Sequence, residues 1–325
     1  MDEPGIDVSV VISTYNRCDL LPRALESVLG QRAPGVRHEL IVVDNRSTDA
    51  TRAVVEGWMA RGAGRLRYLF EPRQGVSHGR NAGIAVAAGP VVAFTDDDVR
   101  VAPDWVACIH AAMARHPEVG FVGGRVVPEW EAPPPAWLTP AHWAPLALAD
   151  YGDVPFLCGP ERPVCLLSAN LAVRRGVLER MGGFSPALQR VKDGIGSMED
   201  AEMQHRMYAA GIPGRYLPEM VALSPVAAER TGRAYHRRWH AGHGRFTARM
   251  RAPEFEASSW RLFDVPAHVF RQAAAAAAGW ARCGLRGDAS GAFGHEARLR
   301  FLGGFTLRRW ADARTASRAG GVREP

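Results

Sequence analysis

Along the first 127 residues the apolar positions alternate between unbroken runs and runs spaced by three or four. Residues 8–13 (VSVVIS) are continuous and β-branched, the pattern of a strand covered on both faces. Residues 19–31 (DLLPRALESVLGQ) put Leu21, Leu25, Val28 and Leu29 on one side of a helix. The same reading predicts strands over 38–44, 66–72, 91–98 and 119–127. Between them it predicts helices over 47–62, 76–89 and 103–116, marked by capping residues, by Gly62 and Gly89 at the ends, and by Pro103 in a first turn. Alternation of this kind predicts an α/β protein with a parallel, doubly wound sheet, whose ligands bind outside the C-terminal strand ends. Three strands deliver polar residues to that edge: Thr14-Tyr15-Asn16, Asp44-Asn45 and Asp96-Asp97-Asp98. Groups about 30 and 50 residues apart are therefore expected to converge.

The pattern changes after 127. Residues 128–165 are rich in Pro and Trp and read as a long surface excursion without regular structure. A strand and turn are predicted over 165–175 and a short helix over 176–184. A glycine-bearing loop over 192–200 leads into a helix over 199–211. The region 231–310 reads as helical and basic.

Composition narrows the class. The chain has 325 residues, 47% apolar and 23% charged, which suits a folded protein with a sizeable core. The net charge is +6, Lys192 is the single lysine, and the arginine surplus concentrates in the C-terminal third. That asymmetry points to an anionic partner: phosphate groups, acidic lipid headgroups or nucleic acid. Five cysteines at 18, 108, 158, 165 and 283 show no zinc-type spacing, and reduced thiols in a cytoplasmic protein are expected. The opening MDEPGIDVSVVIS does not read as a signal peptide. No run is long and apolar enough to span a membrane; the best, AAAAAAGWA, is bracketed by Arg271 and Arg282. No G-x-G-x-x-G follows the first strand and no P-loop is present, so a glycine-cradled nucleotide is excluded.

The chemistry gathers at VAFTDDD (92–98), where a buried-type strand ends in three carboxylates. Like charges this close disfavour one another's ionisation unless a positive group joins them. Asp96 and Asp98 are hard oxygen ligands on one side of the chain and suit Mg2+ or Mn2+.

Five segments, in order, resemble the inverting family 2 glycosyltransferases over roughly residues 8–250. They are VSVVISTYNR; VVDNRSTDAT, with Asp44, Ser47 and Asp49; GVSHGRNAGI, with Gly75, Arg80, Asn81 and Gly83; FTDDD; and GIGSMEDAEMQHR, with Glu199, Asp200 and Arg206. The resemblance implies the GT-A fold, a Rossmann-like, mostly parallel sheet flanked by helices, with a C-terminal helical extension. It implies a catalytic domain over 1–228, divided into a nucleotide-sugar half (1–125) and an acceptor half (126–228), and an extension over 229–325. The implied activity is metal-dependent, inverting transfer from a nucleoside-diphosphate sugar, a UDP-sugar above all, to an acceptor hydroxyl of a glycan or lipid-linked acceptor. The pathway would be surface polysaccharide or another glycoconjugate. The protein would lie in the cytoplasm or at the inner face of the membrane, with no nucleic-acid partner.

The resemblance also assigns roles. Thr14, Tyr15 and Asn16 would sit at base and ribose, and Asp44 would accept a hydrogen bond from the base. Asp96 would hold the ribose hydroxyls or share the metal, Asp98 would bind the metal, and Asp97 would flank the site. Arg80 would organise the acidic edge, with a salt bridge to Asp96 or Asp98 as a compatible role. Asp200 would be the general base, supported by Glu199 and Arg206.

Departures remain. Many relatives carry a histidine where this chain has Ser224 in VALSPVAAER, so either water completes the metal shell or one of His236, His240 and His243 substitutes. The segment ERTGRAYHRRWHAGHGR (229–245) offers His236, Arg237 and Arg238 as a clamp for a diphosphate leaving group or a phospholipid acceptor. Residues 292–310 place Phe293, Phe301, Leu302 and Phe305 on one helical side with Arg298, Arg300, Arg308 and Arg309 flanking. This pattern suits either an anionic membrane surface or packing on the catalytic domain. Two rival readings are a sugar-phosphate nucleotidyltransferase, for which STYNR lacks the glycine-rich loop, and a non-catalytic sugar-nucleotide-binding or scaffold protein.

Overall fold

The structure is a computed structural model and describes residues 5–62, 64–189, 198–251, 256 and 260–319. The glycine-bearing loop thus lies largely outside the described residues. The chain divides into two compact units, one of 1–129, 147–193 and 199–226, the other of 130–146, 194–198 and 227–325.

The first unit holds the α/β sheet. The apolar runs form β1 (Val8–Thr14), β2 (His38–Asp44), β3 (Leu66–Phe70) and β4 (Val91–Asp96). These four are parallel in the order β3-β2-β1-β4. The helices between them are α1 (Leu21–Leu29), α2 (Thr51–Met59) and α3 (Val76–Val86). Past β4 come β5 (Arg100–Val101), α4 (Trp105–Arg115), β6 (Phe121–Trp130), β7 (Phe156–Cys158), β8 (Leu171–Arg174), α5 (Arg175–Met181), α6 (Glu199–Ala209) and β9 (Gly214–Val226). β8 joins β4 antiparallel, and the sheet continues β8-β6-β9-β5 with β7 beside β9.

Register fixes the functional edge. Thr14 stands opposite Asp44, and Ser13 opposite Asp96. The polar ends of β1, β2 and β4 are therefore neighbours, as the alternation requires. Helix α3 lies unusually close to β1. A Cβ on Gly79 would come within 2.1 Å of the Ser13 hydroxyl, and one on Gly83 within 2.4 Å of Val11. Small residues one turn apart let the helix seat against the strand, which carries Arg80 and Asn81 to the same edge.

The 128–165 stretch differs from a structureless excursion. β6 runs through Trp130, short 3-10 turns form at Pro140–His142 and Ala144–Leu146, and β7 follows. Leu138, Leu146, Leu148 and Cys158 are buried. Residues 130–146 belong to the second unit rather than to an acceptor half within 126–228. The reason is aromatic: the Trp137 ring meets those of His236 and Phe293 at 5.1 and 4.4 Å.

The second unit is helical, with α7 (Arg233–Met250), a two-residue-stranded hairpin β10–β11 (Arg261–Leu262 and Val265–Pro266), α8 (Ala267–Leu285) and α9 (Ala289–Ala319). α9 packs on both α7 and α8. The contact with α7 is tight, since a Cβ on Gly244 would fall 2.0 Å from the Phe301 carbonyl oxygen. Phe293, Phe301, Leu302 and Phe305 are buried here. The stripe, which suited either a membrane surface or packing on the catalytic domain, lies in the core of this unit: Phe301, Leu302 and Phe305 cluster with Ala248 of α7 and Val269 of α8, and Phe293 meets Trp137. Arg309, expected to flank a lipid surface, is buried and paired with Glu256 and Asp264. Among the described residues no helix is long and apolar enough to cross a membrane.

His236 is fully buried among Trp137, Tyr235 and Phe293, and neither ring nitrogen has a close hydrogen-bond partner among the described residues. Burial, then the neighbouring histidines, hold His236, His240 and His243 each down at about 4. Their folded values lie below the unfolded value near 6.5, so the unfolded chain takes up protons first as pH falls. Stability is then full above about pH 6.5 and lost between there and about pH 4, at ~2 kcal/mol per histidine from pH 7 to pH 5. Thermal unfolding followed from pH 7 to 5 should show this loss, and a shallower slope in His236→Phe; equal slopes would exclude His236 as a source.

Candidate functional site

The site grows from one buried cation. The Arg80 side chain is only 7% exposed, yet its guanidinium reaches three carboxylates. It donates to Glu199 Oε1 at 2.9 Å, to Asp200 Oδ1 at 3.4 Å and to Asp96 Oδ1 at 3.1 Å. Burial alone would favour the neutral form; the charges of Asp200, Asp96 and Glu199 outweigh it and keep Arg80 ionised. The Phe184 ring lies under the guanidinium at 5.2 Å. Asn81, the next residue, fixes that ring by exchanging two hydrogen bonds with the Phe184 backbone, at 2.8 and 2.9 Å. The adjacent Arg80 and Asn81 thus do different jobs: one gathers acids, the other holds the chain that supports it.

Asp200 is held on both oxygens. Ser168 donates to Oδ2 from its backbone N–H at 3.1 Å and its hydroxyl at 3.0 Å. Burial, then the charge of Glu199, push the Asp200 carboxyl well above the usual carboxylate range, against Arg80 and Ser168, which lower it. Glu199 is buried, with Oε1 on Arg80 and Oε2 without a hydrogen-bond partner among the described residues. Sequence reasoning missed Ser168, and it missed Gln204, which clamps Leu166 by donating at 2.7 Å and accepting at 2.9 Å. Both sit in or against CLLSAN, where an apolar run hid the polar anchors.

Arg206 does not join this cluster. Its guanidinium forks onto Glu202 at 2.6 and 2.9 Å and caps the carbonyls of Met181 and Gly183. Six residues along α6 from Asp200 it points to a different helix face, and it braces a turn instead of supporting the acid pair.

The nucleotide-side residues form a hydrogen-bonded frame. Asp44 is buried; its Oδ1 accepts the Ser47 N–H at 2.7 Å and its Oδ2 the Tyr68 hydroxyl at 2.8 Å. Burial and the Asp44 carboxylate push the Tyr68 hydroxyl up to about 12, so it remains a donor. Asn16, at positive φ, accepts the Thr48 N–H at 2.7 Å, while its own N–H donates to Ser47 at 3.0 Å. Ser47 is therefore a latch between loops, not the cap of α2, which starts at Thr51 under Asp49. Asp49 also accepts the Cys18 N–H at 3.1 Å, and its hydrogen bonds outweigh burial and hold it down at about 2. Thr14 is buried at the end of β1, and Tyr15, half-buried, follows it.

Asp97 and Asp98 follow Asp96 at the strand end. Burial, then the Asp98 charge, push Asp97 well above the usual carboxylate range, and Arg17 offsets this only in part. The three carboxylates Asp96, Asp97 and Asp98 offer hard oxygen donors at this edge. That set fits Mg2+ or Mn2+, which leave coordination positions to water and phosphate. Among the described residues no three His, Cys, Asp or Glu side chains group as a metal-ligand set. Ser224 is buried in β9.

The comparisons with known proteins meet this geometry. The family model "Glycosyl transferase family 2" matches residues 9–180. The chain belongs to glycosyl transferase family 2. The matched span holds both loops of the frame, α3 and the Asp96–Asp98 run. Validoxylamine A glucosyltransferase of Streptomyces hygroscopicus subsp. jinggangensis is 32% identical over 230 residues, covering 63% of this chain and 52% of the relative. The chain thus spans about half the length of that curated relative. Mannosyltransferase PcManGT from Pyrobaculum calidifontis, solved in complex with GDP-Man and Mn2+, is 22% identical with a TM-score of 0.55, over 99% of this chain and 80% of its own. S. aureus TarS 1–349, solved with UDP, is 17% identical with a TM-score of 0.54, over 98% and 93%. These two structures establish the fold: a mixed α/β sheet flanked by helices, with a helical C-terminal region.

Arg237, Arg238 and His236 stand in the second unit. His236, buried and neutral, presents no charge to a phosphate, because aromatic packing removes its ring from water. Arg237 is forked onto Glu296 at 2.6 and 2.9 Å, and Arg238 is exposed.

Arg80 gives the sharpest test of the acid edge. Arg80→Ala leaves Glu199 buried without its cation and should cost about 3–5 kcal/mol, lowering the melting temperature by roughly 10 °C. Arg80→Lys, a point charge without the fork, should recover only part of it. Unchanged melting in Arg80→Ala would show that the three contacts do not hold the edge together.

Proposed function

We propose that this family 2 protein transfers a sugar from a nucleoside-diphosphate sugar to an acceptor hydroxyl with inversion, aided by a divalent cation. The observation that carries the reading is the pairing of a run of three carboxylates at a strand end, Asp96 to Asp98, with a half-buried acid, Asp200, anchored through the same arginine. A leaving diphosphate gathers negative charge, which a divalent cation on Asp98, with Asp96 shared between it and Arg80, would stabilise as a Lewis acid. Every other step belongs to this chain's own side chains. Asp44, Thr14, Tyr15 and Asn16 would line the nucleotide pocket, with Asp44 offering its remaining lone pairs to the base. Asp97 would flank the pocket. Asp200, raised and held in orientation by Ser168, would take the proton of the attacking hydroxyl. Glu199 would keep Asp200 raised and Arg80 in place. One carboxylate acting as base suffices for inversion; retention through a covalent intermediate needs a second on the opposite face.

The donor is read as a UDP-sugar and the acceptor as a glycan or lipid-linked hydroxyl in polysaccharide or glycoconjugate assembly. Support comes from the relatives: one curated relative is a glucosyltransferase, and solved neighbours hold UDP or GDP-Man. The expected place of action is the cytoplasm or the inner face of the membrane.

Nucleotide release measured across a panel of sugar nucleotides with Mn2+ or Mg2+ tests this. Wild type should turn over one donor class. Asp200→Asn should bind nucleotide normally and lose about 10²–10⁴ in turnover. Since Asp200 acts deprotonated and its pKa is raised, activity should rise with pH along a limb lying above the ordinary carboxylate range. Normal UDP binding with no turnover of any donor over a broad acceptor pool would instead favour the non-catalytic binding reading.

A further inference from the structure

The second unit contains a furrow of about 720 Å3 lined by Arg237, Arg238, Arg245, Arg249, Arg300 and Arg308, over a floor that includes Ala241, Gly242 and Phe246. Its long wall is one face of α7, where the arginines recur at whole-turn spacing from 237 to 249, a run of about 18 Å. The facing wall is α9. The floor exists because the helices nearly touch: a Cβ on Gly304 would lie 2.1 Å from the Ala241 carbonyl oxygen.

Six guanidinium groups here meet few acids. Glu296 takes Arg237 and also Arg300, the latter at 3.3 Å, while Asp312 takes Arg308 at 2.8 Å. Among the described residues these are the carboxylates paired with the six, a surplus of four positive charges. Arg238, Arg245 and Arg249 are exposed and have no carboxylate partner among the described residues. Arg245 donates to the Ala241 carbonyl at 3.3 Å, and Arg249 lies 5.7 Å from the Phe246 ring. Arg245 and Arg249 are also like charges one turn apart, which destabilises a helix unless an anion lies between them.

We propose that this furrow is a binding site for a phosphate-bearing ligand, with Arg238, Arg245 and Arg249 as its principal contacts. Several features favour phosphate over carboxylate. A guanidinium fork matches phosphate oxygens bidentately, and a surplus of four charges calls for a dense anion, such as a diphosphate or adjacent phosphates. The length of α7 involved accommodates more than one anionic group. Gly242 and Phe246 leave room and an apolar surface for the group that carries the phosphate. The furrow is formed within the second unit alone, so the inference stands independently of the glycosyl-transfer reading.

Calorimetry on the full chain with sodium pyrophosphate, in metal-free buffer at fixed ionic strength, tests it. Wild type should bind saturably. Arg245→Glu with Arg249→Glu, two exposed positions outside the core, should weaken binding at least tenfold while UDP binding with Mn2+ is unchanged. Flotation with phosphatidylglycerol against phosphatidylcholine vesicles separates the source: binding to the former lost in the same double variant assigns lipid phosphate, and pyrophosphate binding alone assigns a soluble phosphate. Pyrophosphate binding within twofold of wild type in the double variant would overturn the site. So would an equal response to chloride, or vesicle binding without saturable pyrophosphate binding, which would mean diffuse surface attraction.

Discussion

The Arg80 guanidinium is the point through which the first unit is tied together. It comes from α3, and its three acid partners come from β4 and α6, sixteen and about 120 residues away in sequence. A buried ion pair of this kind does not stabilise by Coulomb attraction alone, since desolvating the charges costs about as much as their attraction returns. Its value lies in geometry, because a planar fork can hold three carboxylates only in one arrangement. Everything that positions Arg80 therefore positions the site. The close seating of Gly79 and Gly83 on β1 and the Asn81 clamp on Phe184 are prerequisites for it.

The same economy marks the loops beyond β1 and β2. Asp44, Ser47, Asp49, Asn16 and Thr48 spend hydrogen bonds on one another. Loops cross-linked in this way are held by side-chain hydrogen bonds before any ligand arrives, which reduces the ordering entropy that binding there would cost. It also means that these side chains serve the fold and the site at once. Asp44 is already bound to Ser47 and Tyr68, one partner on each carboxylate oxygen.

How much of this was legible in the chain follows from the range of the interactions. β1 to β4 and their helices are written in local periodicity, and their convergence follows from parallel topology. The Arg80 cluster was foreshadowed only in part. The sequence placed Arg80 near Asp96 or Asp98, but the link to Glu199 and Asp200 joins α3 to α6 across about 120 residues, which no local pattern encodes. Ser168 and Gln204 were hidden because a polar anchor inside an apolar run looks like noise. Arg206, assigned beside Asp200 by the resemblance, lies on another face of the helix and meets Glu202 and the carbonyls of Met181 and Gly183 instead. The stripe of Phe293, Phe301, Leu302 and Phe305 was correct as a pattern and ambiguous as to its cover. An amphipathic face states that something apolar lies against it; lipid and a neighbouring helix satisfy the same spacing.

Charge raises the complementary point. An arginine-rich composition says little by itself, because most arginines in this chain have a local explanation. Arg80, Arg206 and Arg309 are accounted for by the carboxylates or carbonyls they meet. What matters is the remainder after such partners are assigned. On α7 in the second unit the remainder is positive, centred on Arg238, Arg245 and Arg249. Uncompensated like charges at neighbouring positions destabilise the fold that carries them by a few tenths of a kcal/mol per pair. Their presence on a well-formed helix is therefore better explained by a counter-charge supplied from outside the chain, a phosphate in the arginine furrow.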